Sequence, residues 1–147
     1  MTHPPDRPLW TCPRCGRPFA NRNQQHSCVA ASVDEHLRGK GERAEALYRA
    51  FEAAVRECGP VILAPAKTRI GFQVRMIFAA VSVRADRLNG HVVLARRVEH
   101  QRFTRIDSLS PRNHVHHFRL RDPAEVDGEV RGWLCEAYAV GEQKHLG

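Results

Sequence analysis

The chain has 147 residues, of which 42% are hydrophobic and 27% charged, and its formal net charge is +7 at pH 7. This length predicts one main domain with room for a small appendage, and no apolar run approaches the roughly 18 residues that a membrane span needs. The first ten residues lack the apolar centre of a secretory signal. We therefore expect a cytoplasmic protein whose five cysteines serve a metal or the core rather than disulfides.

Four potential metal ligands lie close together near the N-terminus. Cys12 and Cys15 form a C-x-x-C pair, and His26 and Cys28 follow after a polar stretch. Three thiolates and one imidazole can complete the tetrahedron that zinc prefers. The alternative is a redox pair, but such pairs begin a helix after a strand, and Pro13 argues against that context. The spacing predicts a structural zinc site, because four protein ligands leave no position open for water.

Helices are predicted on both sides of a long central region. Residues 32–35, Ser-Val-Asp-Glu, match a capping box and predict a short helical turn. Apolar residues recur at three- and four-residue steps over 44–58, which predicts an amphipathic helix that Gly-Pro at 59–60 ends. Asp-Pro-Ala-Glu at 122–125 predicts the start of a terminal helix. We expect Trp133 to anchor that helix in the core.

The central region, residues 61–121, has the alternating pattern of β-strands. Asn89-Gly90 predicts a turn within it. In the last strand, the alternation places His114, His116, Phe118 and Leu120 inside and leaves His117, Arg119 and Arg121 outside. The predicted strands cover residues 67–75, 76–83, 92–96, 103–109 and 114–121.

Positive charge is concentrated in this strand region. Residues 59–121 contain Lys67 and eleven arginines against three acidic residues, a net charge of +9, whereas the flanking segments roughly cancel. A local excess of this kind predicts a face that binds polyanions, although a solvated arginine face would give the same composition. The predicted polyanion-binding residues are Lys67, Arg69, Arg75, His117, Arg119 and Arg121.

Two helices flanking a run of antiparallel strands predict an α+β sandwich with both helices on one face of the sheet. We divide the chain into a zinc-binding knuckle at residues 1–31, an α+β domain at 32–141 and a flexible tail at 142–147. The knuckle is too short to bury a core of its own, so zinc binding would have to stabilise it.

The α+β segment resembles a known family. The dipeptides Leu47-Tyr48 and Lys67-Thr68, the strand at 116–120 and the helix at 133–138 are similar to the bacterial domain of unknown function 5655. Members of that family with a C-x-x-C knuckle in front also look similar to this chain. The resemblance implies a fold like that of the frataxin-like iron chaperones, but it implies no activity. The acidic iron-binding surface of those chaperones is replaced here by a basic strand region.

We therefore interpret the chain as a zinc-containing binding module whose basic sheet face binds a polyanion, with nucleic acid as the expected partner. One alternative is a small-anion receptor or an enzyme that uses His114, His116 or His117 with Lys67. No paired carboxylate or nucleophile at a recognisable spacing accompanies these histidines, which weakens the case for catalysis. A second alternative is metal handling by the histidines, as in a frataxin-like protein, which the positive charge opposes.

Overall fold

The computed structural model describes residues 4–26, 28 and 31–146. Three helices form, α1 (Val33–Leu37), α2 (Glu42–Cys58) and α3 (Gly128–Gly141). The strands are β1 (Trp10–Thr11), β2 (Pro18–Phe19), β3 (Ile62–Pro65), β4 (Ile70–Gln73), β5 (Ile77–Val83), β6 (Leu88–Leu94), β7 (Phe103–Ser110) and β8 (Asn113–Leu120). Short 3-10 turns span Pro4–Asp6, Pro123–Glu125 and Lys144–Leu146.

Strands β3 to β8 form one antiparallel sheet in the order β3-β4-β5-β6-β8-β7, and β1 pairs with β2 in a separate ribbon. The last hairpin is reversed in this order, so β8 lies between β6 and β7. The connection from β6 to β7 is held against β8 by a hydrogen bond of 2.9 Å from the backbone N–H of Val98 to Nε2 of His116. The predicted α+β class and antiparallel sheet are confirmed.

The core lies between the sheet and the two main helices, which pack on the same face. Phe51 of α2 contacts Phe72 of β4 and Phe118 of β8, with ring centroids 5.4 and 5.9 Å apart. Leu134 and Ala137 of α3 are completely buried in the same cluster. The opposite face of the sheet, here called the outer face, is not covered by these helices. No helix among the described residues is both long and apolar enough to cross a membrane.

The terminal helix begins later than the sequence predicts. The capping box at Asp122 forms, but it caps the 3-10 turn Pro123–Glu125. Helix α3 has its own N-cap, Asp127, whose carboxylate accepts a 3.1 Å hydrogen bond from the backbone N–H of Val130. Trp133 is half-buried rather than central in the core, and its ring packs against Phe103 at 4.5 Å between centroids.

The turn predicted at Asn89-Gly90 is wrong, because both residues lie inside β6. The turn between β5 and β6 is closed earlier, where the backbone N–H of Arg84 donates to the carbonyl of Arg87 at 2.9 Å. Gly90 is required for packing instead. A Cβ atom at this position would lie 2.9 Å from Cζ of Phe118, which is closer than side chains tolerate.

The expectation that no cysteine forms a disulfide is also wrong. Cys58 at the end of α2 is bonded to Cys135 of α3, with the two Cα atoms 5.2 Å apart. The spacing of apolar residues describes each helix by itself. It therefore could not show that Cys58 and Cys135 meet across the helix pair. Cys12, Cys15 and Cys28 are free thiols.

Residues 142–146, within the segment where we expect a flexible tail, include a 3-10 turn and contacts with the sheet. Gln143 is buried, and its Oε1 accepts a 2.9 Å hydrogen bond from Nε of Arg75. The backbone carbonyl of Gly141 accepts hydrogen bonds of 3.0 Å from the N–H groups of both Arg75 and Met76. The end of α3 is therefore tied to the bend between β4 and β5.

Candidate functional site

The first candidate site is the group of cysteines and histidine near the N-terminus. The ligand atoms of Cys12, Cys15, His26 and Cys28 all lie within 4.8 Å of one another. The sulfur atoms of Cys12 and Cys28 are 3.7 Å apart, and Nε2 of His26 lies 3.3 Å from the sulfurs of both Cys15 and Cys28. The four residues predicted as ligands are thus close enough together to bind one metal ion.

Backbone geometry holds these ligands in place. Gly16 has a φ of +75°, a conformation that favours glycine, and its N–H donates to the carbonyl of Cys12 at 2.8 Å. The hydrogen bond from the backbone N–H of Cys15 lowers the pKa of the Cys12 thiol to about 6. The Nδ1–H of His26 donates to the carbonyl of Gln24 at 2.6 Å, which leaves Nε2 with a free lone pair directed at the sulfurs.

The knuckle, residues 1–31, docks on the sheet near the end of β4. The buried amide of Gln73 donates to the carbonyl of Pro18, and the N–H of Ala20 donates to the carbonyl of Arg75 at 3.1 Å. The guanidinium of Arg75 also donates to the carbonyl of Arg7. The metal-binding segment is therefore attached to the α+β domain through backbone groups at specific positions.

The second candidate site is a concave region of the outer face that we call the outer cavity, with a volume of about 300 Å³. Its floor is formed by small residues of the central strands β5 and β6, including Ala80, Ser82 and Gly90. Three arginines converge on it from separate places in the fold. They are Arg69, just before β4, Arg105 of β7 and Arg119 of β8.

One side of the outer cavity carries a charged network. Nε2 of His117 donates to Oδ2 of Asp107 at 2.9 Å, since a carboxylate can only accept. Nη2 of Arg105 lies 3.1 Å from the same oxygen. The hydrogen bond from His117 lowers the pKa of Asp107, with a further contribution from Arg105. The carboxylate is thus ionised, and it is stabilised by contacts with both side chains.

His91 of β6 lies beside this network and lines the same cavity. Its ring centroid is 5.7 Å from that of His117. Burial, with smaller contributions from the neighbouring His117 and Arg69, lowers the pKa of His91 to about 4. At neutral pH His91 is therefore an uncharged group within a positively charged site.

A second basic cavity, of about 310 Å³, adjoins the first at Ser82. Here it is called the side cavity. Its basic groups come from the loop after α1, from the β3–β4 turn and from the end of β5, and Glu35 is the acidic residue that lines it. The basic residues are Arg38, Lys40, Lys67 and Arg84.

The predicted polyanion-binding residues divide into two groups. Arg69, His117 and Arg119 meet in the outer cavity, and Lys67 lies in the side cavity. The others lie elsewhere. Arg121 is exposed just beyond the end of β8, and the guanidinium of Arg75 is engaged by Gln143 and the backbone of the knuckle.

The strand histidines that we considered for catalysis do not assemble with Lys67. His116 is completely buried, donates from Nδ1 to the carbonyl of His114 at 2.9 Å and accepts from Val98, and burial lowers its pKa. His114 contacts Ser108 and the Pro111 carbonyl at the opposite end of the strand from the outer cavity. Both have structural partners. Among the described residues, these histidines form no cluster of three or more potential metal ligands.

Several residues of the two cavities were missed in the sequence. His91 follows Asn89-Gly90, and the turn predicted at that dipeptide conceals that His91 belongs to a strand. Arg105 could have been found, since the alternation of residues 103–109 places it on the same face as Asp107. Arg38 and Lys40 carry no periodic signal, because they lie in a loop that approaches the sheet only in the folded chain.

Comparison with known proteins bears mainly on the α+β domain. No curated protein and no solved structure matches the chain. One family model matches residues 33–141, which include all three helices and the complete six-stranded sheet. The chain therefore belongs to the family described as the domain of unknown function DUF5655.

Proposed function

We propose that this chain is a zinc-stabilised binding module whose outer face binds the phosphates of a polyanion, and that the polyanion is a nucleic acid. The observation that supports this most strongly is the convergence of Arg69, Arg105 and Arg119 on one cavity. Arginine is suited to phosphate because its planar guanidinium donates two parallel hydrogen bonds.

The state of these arginines supports binding to an external anion. Arg105 is paired with Asp107. Arg69 and Arg119 are exposed and have no ion-pair partner in the part of the chain that the structure describes. The two guanidinium groups are close enough to line one cavity, where their mutual repulsion would be relieved by a bound anion.

The side cavity extends the positive surface beyond a single anion. It adds four basic residues against Glu35, and it shares Ser82 with the outer cavity. Two adjoining basic cavities suit a ligand with successive phosphates better than a single small anion. Phe118 is the one Phe, Tyr or Trp residue in the cavity linings, and its ring packs in the core, so we expect little sequence-specific base stacking.

Zinc is the metal that best fits the knuckle. A tetrahedral ion with bonds of about 2.3 Å to sulfur and about 2.0 Å to nitrogen separates its ligand atoms by roughly 3.5–3.8 Å. The observed separations of 3.3 and 3.7 Å are close to these values. Three cysteines and one histidine are a common structural zinc set. Zinc would hold the knuckle in the conformation that docks on Gln73 and Arg75.

Salt-dependent binding of single-stranded DNA, followed by fluorescence anisotropy, tests the proposal. We expect log affinity to fall linearly with log salt, and the double variant Arg69→Gln/Arg119→Gln to reduce that slope by about 1.4, or about 0.7 per phosphate contact. Arg131→Gln is the matched control, because Arg131 pairs with Glu57 on the helices. A loss of binding in Arg14→Gln/Arg22→Gln alone would assign the contact to the knuckle, and no binding at low salt would refute the proposal.

A further inference from the structure

The outer cavity has the shape and charge of a pocket for one phosphate group. Its depth comes from residues with small side chains on β5 and β6. Ala80 and Ser82 line its floor, and Gly90 contributes only backbone there, because a Cβ at Gly90 would lie on the core side beside the ring of Phe118. The volume of about 300 Å³ is at the lower end of the range for small-molecule pockets, enough for a phosphate with the adjoining sugar.

The charge of the outer cavity is greater than one internal phosphate needs. Arg69, Arg105 and Arg119 supply three positive charges, and Asp107, paired with Arg105, removes one, which leaves +2 before the histidines are counted. An internal phosphodiester brings a single negative charge. A phosphomonoester carries about −1.5 to −2 at pH 7 and has three acceptor oxygens. The charge therefore matches a terminal phosphate better than an internal one.

The hydrogen-bond donors of the cavity lead to the same assignment. The Ser82 hydroxyl donates to the carbonyl of Thr68 at 2.9 Å, and the Thr104 hydroxyl donates to that of His117 at 3.3 Å. These neutral donors are already used. The guanidinium groups of Arg69 and Arg119 are the charged donors of the cavity that pair with no carboxylate in the described part of the chain, and two such groups can together contact the three oxygens of a monoester.

We propose that the outer cavity binds the terminal phosphate of a nucleic-acid strand, and that the strand then passes over Ser82 into the side cavity. This inference rests on the proposed function, since it names the part of the nucleic acid that the outer face recognises. The side cavity distinguishes a strand from a free nucleotide. Its basic residues would contact the next phosphates along the chain.

The test compares three single-stranded DNAs of one sequence, internally labelled, that carry a 5′-phosphate, a 3′-phosphate or hydroxyl groups at both ends. We expect one phosphorylated form to bind about tenfold more tightly than the hydroxyl form, the effect of one or two charge-assisted hydrogen bonds. Arg119→Gln should remove this preference. Arg131→Gln should preserve the preference. Lys67→Gln in the side cavity should lower the affinity for all three DNAs to a similar degree.

Equal affinity for the three DNAs would overturn the inference and leave the proposed function intact. If none of them bound, the proposed function itself would fail. Competition with inorganic phosphate and with a mononucleotide 5′-phosphate completes the test. If either displaced the phosphorylated DNA at equal concentration, the site would belong to a free small anion, and the assignment to a strand end would be wrong.

Discussion

Gly90 of β6 lies directly opposite Phe118 of β8, and the ring of Phe118 occupies the space that a side chain at Gly90 would need. The pair connects the two faces of the sheet. Phe118 packs against Phe51 in the core, while Gly90 forms part of the floor of the outer cavity. The shape of the candidate site therefore depends on packing beneath it.

Replacing Gly90 with alanine should destabilise the fold by about 1–3 kcal/mol, the usual cost of overpacking. The new Cβ would lie 2.9 Å from Phe118 and 3.0 Å from the carbonyl oxygen of Ala80, and the backbone cannot easily retreat. Gly132→Ala in α3 is the control, because no atom lies within 4 Å of its added Cβ, and it should stabilise the helix by up to about 1 kcal/mol. Urea denaturation measures both. If Gly90→Ala left the free energy of unfolding unchanged, that result would contradict the close contact with Phe118.

Purified chain should contain one zinc ion, held by the cluster at Cys12, Cys15, His26 and Cys28. Elemental analysis should show the metal in the parent protein and its loss in Cys12→Ser/Cys15→Ser, while His114→Gln outside the knuckle should retain it. The α+β domain should stay folded without metal, since its core is separate from the knuckle. Full zinc content in the double cysteine variant would show that the ligand assignment is wrong.

The Cys58–Cys135 disulfide should stabilise the chain. It closes a loop with a sequence separation of 77 residues, for which the chain-entropy model gives about 4 kcal/mol. Reductant should therefore lower the denaturation midpoint of the parent protein, but not that of Cys58→Ser/Cys135→Ser. Thiol titration of the unfolded, metal-free parent should find the three free cysteines. Finding all five as thiols would contradict the disulfide.

Stability should fall as the pH drops through the histidine range. The pKa of His91 is about 4 in the fold, against about 6.5 for an ordinary histidine, and that of His116 is also lowered. Below pH 6.5 the unfolded chain takes up protons that the folded chain does not. The contribution of neutral His91 to the free energy of unfolding is therefore fully present above pH 6.5. About 3 kcal/mol of that contribution is lost by pH 4.

Urea midpoints at a series of pH values measure this effect. His91→Gln should have a flatter pH profile than the parent protein over this range. The comparison cancels the pH dependence of the zinc thiolates, which both proteins share. Parallel profiles would mean that His91 titrates normally and is well solvated.

The sequence predicted the local structure that depends on nearby residues. The cap at Ser32 forms as expected, with Oγ accepting from the N–H of Glu35 at 3.1 Å, and the four knuckle ligands meet because their spacing along the chain allows it. The turn prediction at Asn89-Gly90 was wrong because glycine is needed at position 90 for the close tertiary contact with Phe118, and not for a turn.

The outer cavity could not be predicted from the sequence, for a related reason. Its arginines meet only because β8 is inserted between β6 and β7, an order that the alternating pattern does not encode. Alternation correctly placed His117 and Arg119 on the outer face. It could not show that Arg75 would be occupied by Gln143, which lies 68 residues away in the chain.

The most direct test of the outer face as a phosphate-binding surface is an NMR titration of the isotope-labelled, zinc-loaded chain with single-stranded DNA at low salt. We expect amide shift changes at residues of the outer cavity, namely Ser82, Asn89, His117 and Arg119, and little change on α2 and α3. Shift changes confined to the knuckle or to the helices, with the outer cavity unaffected at saturating DNA, would contradict it.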